Sequence, residues 1–142
     1  MILLLLLVII KSLINNRINV NINFIRRIFV IKEGIENMIT IRLFCAGGMS
    51  TSVLMKKIEE AAVKKGLEVD VKANPSGLID KCCSEENIDV ALIGPQVAYE
   101  MGRIRPICEK HKVPVEVIPM LDYGRMNGEK VLDLALSLIK NK

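Results

Sequence analysis

From Met38 onward, short β-branched runs alternate with longer stretches whose apolar residues recur every three or four positions. The runs are residues 39–44, 67–73, 88–93 and 115–118, each of strand length, and they imply four strands. Between the first two, residues 50–65 place Val53, Leu54, Ile58, Ala61 and Ala62 on one helical face, with Lys56, Lys57, Glu59, Glu60 and Lys64 mostly on the other. Gly66 ends that helix as a C′ glycine. Residues 75–86 predict a short helix carrying Leu78, Ile79 and Cys82 inward. Residues 96–111 predict a third, with Val97, Met101, Ile104 and Cys108 at helical spacing and an early break at Gly102 or Pro106. Residues 129–140 predict the last, buried through Val131, Leu132, Leu134, Ala135, Leu138 and Ile139. Strand and helix in alternation are the pattern of βαβ units, so the expected fold class is α/β with a parallel sheet. A ligand would then sit beyond the carboxyl ends of the strands, near the point where strand order reverses. The loops to inspect are 45–52, 74–77, 94–96 and 119–128.

Residues 1–37 do not fit this pattern. The nine apolar residues 2–10 stop at Lys11, well short of the roughly 20 that a spanning helix needs. No basic residue precedes them and no small-x-small cleavage site follows, which argues against a secretory signal. Residues 15–31 are a low-complexity mixture of Asn, Ile, Arg, Val and Phe, the composition that A+T-rich DNA gives when translated. The codons of Lys32-Glu33-Gly34 can contain AAGGAGG, a bacterial ribosome-binding sequence, a few codons before Met38. Met38 is therefore the expected true start and 38–142 the working protein, with 1–37 an upstream extension that arises from gene calling; a short membrane-surface anchor is the alternative.

Composition sharpens the picture once this division is made. The 142 residues carry 20 Lys+Arg and 16 Asp+Glu for a net charge of +4, with 51% apolar residues, which suits one ordered domain and excludes a disordered or fibrous chain. Five of the basic and two of the acidic residues precede Met38, leaving 15 and 14 and a net of +1 for the remainder. No basic patch interleaved with aromatics remains, so nucleic-acid binding has no support. The four Cys include no C-x-x-C pair, and no Cys, His, Asp and Glu cluster has metal-ligand spacing. Cys82, Cys83 and Cys108 read as packing residues of a reduced, cytoplasmic protein, and neither metal nor cofactor is expected.

The most specific feature is the first loop, Cys45-Ala46-Gly47-Gly48-Met49-Ser50-Thr51-Ser52, directly after a strand and directly before a helix. A thiol at its start meets converging backbone N–H groups and a helix N-terminus, a setting that favours the nucleophilic thiolate form. Gly47 and Gly48 permit positive φ, so successive N–H groups can face one concavity, as in phosphate-binding loops. Ser50, Thr51 and Ser52 add hydroxyl donors. A phosphoryl group held on the sulfur would have its oxygens satisfied there. An ordinary buried thiol beside a glycine turn is the plainer reading, but it requires neither two Gly nor three hydroxyls.

A further point is what the loop lacks. Low-molecular-weight tyrosine phosphatases open with Cys-x5-Arg-Ser, whereas Thr51 and Ser52 occupy those two places here. Without a bidentate guanidinium or an evident water-activating acid, a phosphocysteine should persist until a specific acceptor arrives. That is carrier behaviour.

Residues 38–142 resemble the IIB component of the lactose/cellobiose/chitobiose class of the bacterial phosphoenolpyruvate-dependent sugar phosphotransferase system. Three stretches carry the resemblance: residues 41–52, including Leu43-Phe44-Cys45-Ala46-Gly47-Gly48-Met49-Ser50-Thr51-Ser52; residues 89–99, including Ile93-Gly94-Pro95-Gln96; and residues 123–128, Tyr123-Gly124-Arg125-Met126-Asn127-Gly128. The resemblance implies a four-stranded parallel sheet with helices on both faces, of the low-molecular-weight phosphatase architecture. It implies a relay in which a phosphohistidine on the IIA component phosphorylates Cys45, and a sugar brought by the IIC membrane transporter accepts the group. Ala46 to Ser52 become the phosphate cradle, and Gly94, Pro95 and Gln96 the neighbouring rim.

Weaker candidates lie around this loop. Asp122 could serve as an acid in a phosphatase or arsenate-reductase-like enzyme, which is the principal alternative function; a solvated turn residue is the plainer reading. Tyr123 and Tyr99 are candidates for the partner surface, with Met49 exposed beside the thiol. His111, the sole His, reads as a helix C-terminal cation. A non-catalytic binding module on the same fold is the remaining possibility.

Overall fold

The computed structural model describes residues 2–3, 6–7, 38–47 and 49–141, apart from the side chain of Met49. The chain divides into two units, Met1–Asn37 and Met38–Lys142. In the first, Ile2, Leu3, Leu6 and Leu7 are helical; the expectation that residues 1–37 are an upstream extension otherwise lies outside the described residues.

The second unit runs β1 (Ile39–Cys45), α1 (Met49–Lys64), β2 (Val69–Pro75), α2 (Ile79–Glu85), β3 (Val90–Ile93), α3 (Met101–Lys110), β4 (Val115–Val117), α4 (Met120–Gly124) and α5 (Gly128–Lys140), with 3-10 turns at Ser76–Leu78 and Pro95–Glu100. All strand pairs are parallel, in the order β2-β1-β3-β4. The chain therefore steps outward from β1 to β2, then returns past β1 to β3 and β4. The reversal lies between β1 and β3, and their carboxyl ends, Cys45 and Ile93, border the crevice where such sheets bind ligands.

Period-2 alternation along the strands divides the interior in two. Ile41, Leu43, Val90 and Leu92 pack with Leu54, Ile58, Ala61 and Ala62 of α1 and Val131, Leu132 and Ala135 of α5. Phe44, Ala91 and Ile93 point the other way, against Ile79, Cys82 and Cys83 of α2 and Ile104 and Cys108 of α3. Helices thus cover both faces. Arg42 is buried on the second face and is satisfied there by Asp70 at 2.9 Å and by Glu86, which fasten β1 to β2 and to the residue after α2. Burial alone would lower the Arg42 pKa, but the hydrogen bonds to Asp70 and Glu86 outweigh it and raise the value.

Local details agree with the sequence at α1, whose end is closed by Gly66 at φ +68°, with the Leu67 N–H donating to the Ala62 carbonyl at 2.9 Å. Four expectations change. Val53 and Leu78 are exposed instead of inward: Val53 sits about 100° round the helix from Leu54, and Leu78 belongs to a 3-10 turn that does not continue the stripe of α2. The break in the third helix falls at Val97 (φ −116°, ψ 19°), while α3 runs on through Gly102 and Pro106. Both residues face solvent, so the Gly102 carbonyl that Pro106 cannot bond remains open to water. Lastly, the loop expected at 119–128 contains α4.

Candidate functional site

Cys45 ends β1 with its side chain on the face of Leu43 and α1, and is only 6% exposed. The chain then turns through Gly47 at φ +101°, a conformation that favours glycine, and enters α1 at Met49. The first-turn N–H groups of a helix have no partner within it, and the first turn of α1 bears no acidic side chain to neutralise that positive end. Gly48, assigned to the same cradle, lies outside the described residues, as does the Met49 side chain.

Around the sulfur a set of hydroxyls converges. Thr51 Oγ1 donates to Cys45 Sγ at 3.2 Å, and the sulfur lies 4.0 Å from the Asn74 carbonyl oxygen at the end of β2. The Tyr123 hydroxyl, supplied by α4, is 3.1 Å from Ser50 Oγ and 3.4 Å from Thr51 Oγ1. Thr51 is buried, whereas Ala46, Gly47, Ser50 and Ser52 are exposed at the mouth. Gly94 closes the β3 side: its N–H donates to the Phe44 carbonyl at 2.8 Å, and a Cβ there would stand 3.3 Å from the Cys45 Cβ. Pro95 and Gln96 follow, half-buried and exposed respectively.

Tyr123 therefore lies beneath the rim instead of on it. Tyr99 does reach the surface, 81% exposed. The sequence reading missed others of this kind: Val53 after β1, Leu78 after β2 and Met120 and Leu121 after β4 are all exposed apolar side chains on segments that follow strands. The signal available was the adjacent Met120-Leu121 pair in a stretch otherwise read as a loop.

The other candidates are remote or unengaged. His111 is the C-cap of α3, ahead of β4 and so at the opposite end of the sheet from Cys45, with its Nε2 3.6 Å from Asp80 Oδ1. Asp122 makes no hydrogen bond to Cys45, Ser50 or Thr51 among the described residues. Cys82, Cys83 and Cys108 are buried between α2 and α3. Cys108 is not isolated, since it shares a hydrogen bond with Cys83 that, together with burial, pushes its pKa up. Among the described residues no group of three His, Cys, Asp or Glu is placed to hold a metal ion.

This geometry can be set beside known proteins. A model of the phosphotransferase-system lactose/cellobiose-specific IIB subunit matches residues 40–134. The chain belongs to this family. A galactose-specific EIIB component of Lactococcus lactis subsp. cremoris is 41% identical over 102 residues, covering 70% of this chain and 94% of that one. A cellobiose-specific EIIB component of Lactococcus lactis subsp. lactis has the same identity and coverage. The solution structure of a cellobiose-specific IIB component from Borrelia burgdorferi is 36% identical and superimposes with a TM-score of 0.63, covering 75% of this chain and 96% of that one. IIB subunits are phosphotransferases, and the fold is the low-molecular-weight phosphatase-like one that the sequence implied. Among the described residues of this IIB chain no helix is long and apolar enough to cross a membrane.

Proposed function

We propose that this IIB chain carries phosphoryl groups between two partners on Cys45. The donor is a phosphohistidine of a IIA component: the histidine N–P bond breaks as the Cys45 S–P bond forms, and the thiol proton passes to the released imidazole. The acceptor is a hydroxyl of the sugar imported by the membrane-embedded IIC component; its O–P bond forms as the S–P bond breaks, and its proton is released. The reading places the chain on the cytoplasmic side of the membrane, in association with IIC.

One observation carries this reading: the Cys45 sulfur receives the Thr51 hydroxyl at the head of a helix whose first turn has no acidic side chain. Phosphoryl oxygens bound there would meet the loop backbone from Ala46 through Ser52 and the Ser50, Thr51 and Ser52 hydroxyls. Thr51 stands where the related hydrolases have Arg, and Asp122 has no bond to the site, so the phosphocysteine is kept for a specific acceptor. The exposed apolar side chains Val53, Leu78, Tyr99, Met120 and Leu121, all on segments that follow strands, suit a surface that two proteins occupy in turn. The sugar is a β-linked disaccharide such as cellobiose, lactose or chitobiose, in keeping with a family described by lactose and cellobiose.

Two assays in parallel separate carrier from hydrolase. With phosphoenolpyruvate, the general phosphotransferase proteins, a IIA partner and membranes containing the IIC, the chain should form sugar phosphate, and it should leave an aryl phosphate intact. Hydrolysis of the aryl phosphate without any partner would instead identify a phosphatase.

A further inference from the structure

Tyr123 comes from the short helix α4, yet its hydroxyl reaches two residues of the first turn of α1. Its ring is packed in the core beneath the loop with Leu54 and Ile118, which fixes where the oxygen stands. A hydroxyl has one proton to donate, and Thr51 commits its own to the Cys45 sulfur at 3.2 Å. Toward Tyr123, 3.4 Å away, the Thr51 oxygen can then only accept. The phenol proton fills that place, and Ser50, at 3.1 Å, is left to donate to the phenol oxygen. The hydrogen bonds form a directed chain, Ser50 to Tyr123 to Thr51 to Cys45.

We propose that Tyr123 is a positioning residue for phosphoryl transfer, holding the Thr51 hydroxyl on Cys45. The inference rests on the phosphocysteine reading above. When the phosphohistidine N–P bond breaks and the S–P bond forms, the sulfur gives a lone pair to phosphorus and becomes a weaker acceptor for the Thr51 hydroxyl, while new phosphoryl oxygens appear beside it. Anchored by Tyr123, the Thr51 oxygen stays in place while its O–H turns from sulfur to a phosphoryl oxygen. Without the phenol, Thr51 is free to leave the sulfur for another acceptor.

The test is a mutant cycle on the full chain, reading the initial rate of label transfer to Cys45 from phosphoenolpyruvate through the general proteins and a IIA partner. Tyr123→Phe keeps the ring and its packing and should slow labelling about tenfold, the loss of one hydrogen bond of ordinary strength. Thr51→Val should also slow it, and Thr51→Ser, which keeps the donor, should restore most of the rate. In the Thr51→Val background Tyr123→Phe should cost nothing more. Wild-type labelling in Tyr123→Phe would overturn the proposal, as would losses that simply multiply in the double variant, since a general loosening of the core acts in both backgrounds. If the wild-type chain takes no label on Cys45, the phosphocysteine reading falls first, and the two failures are thus distinct.

Discussion

At Gly94 a single methyl group separates packing from chemistry. The N–H of Gly94 is engaged with Phe44, and an added Cβ would stand 3.3 Å from the Cys45 Cβ and 3.1 Å from Gln96 Oε1. Gly94→Ala should therefore slow phosphorylation of Cys45 severalfold while shifting the thermal midpoint little, because Gln96 is exposed and can swing away. Gly47→Ala differs in kind: its Cβ would meet nothing within 4 Å, but φ +101° is strained for alanine, at about 1–2 kcal/mol. A transfer assay alongside a melting curve separates the two, with Gly47→Ala lowering both. Cys45 and the glycines and hydroxyls after it were legible in the sequence as a candidate site because they are contiguous, each within seven residues of the thiol. The place of Tyr123 was not, because its bond to Ser50 spans 73 positions and depends on how α4 is seated.

Among the elements, α1 carries the hydroxyls, and α5 fixes where α1 stands. The two approach tightly at Gly128, where an added Cβ would clash with the Lys57 carbonyl oxygen. That atom is backbone and cannot swing aside. Gly128→Ala should cost about 1–3 kcal/mol, read as a lower urea midpoint, and should slow Cys45 labelling by displacing the first turn of α1. On the other face, Arg103 ties the turns after β2 and β3 together through the Ser76 carbonyl at 3.2 Å and Glu100 at 2.8 Å. Hydrogen bonds from the Ser76 and Arg103 side chains hold the Glu100 carboxyl below its ordinary value of 4.5. A depressed carboxylate stabilises above that ordinary value, and its contribution disappears as pH falls through the folded-state value. Amide-exchange protection in Ser76–Leu78 should drop on acidification below pH 4.5, and Glu100→Gln should remove that pH dependence. Helix and strand types followed from periodicity, since Leu54, Ile58 and Ala61 or Val131, Leu132 and Ala135 leave little choice of face. Turns and ends did not, because Val97, Leu78 and α4 are set by what the sheet lets each segment reach.

In the molecule as a whole, strand order decides where chemistry can occur. With the order β2-β1-β3-β4, the reversal brings the end of β1 against the start of the Gly94-Pro95-Gln96 turn, and the parallel wiring brings every strand-following segment to that same end. The formal charge of +1 over residues 38–142 says little about this site, whose positive field comes from backbone N–H groups at one helix end. Exposed apolar side chains on the strand-following segments, with a sheltered thiol at the end of β1, suit a carrier that two proteins must visit. The most direct test is to incubate the chain with phosphoenolpyruvate, the general phosphotransferase proteins and a IIA partner, then map the modification by mass spectrometry under conditions that preserve thiophosphates. One phosphoryl group on the Cys45 peptide, absent from Cys45→Ser, is the predicted result; no phosphoryl group, or one that survives Cys45→Ser, would contradict it.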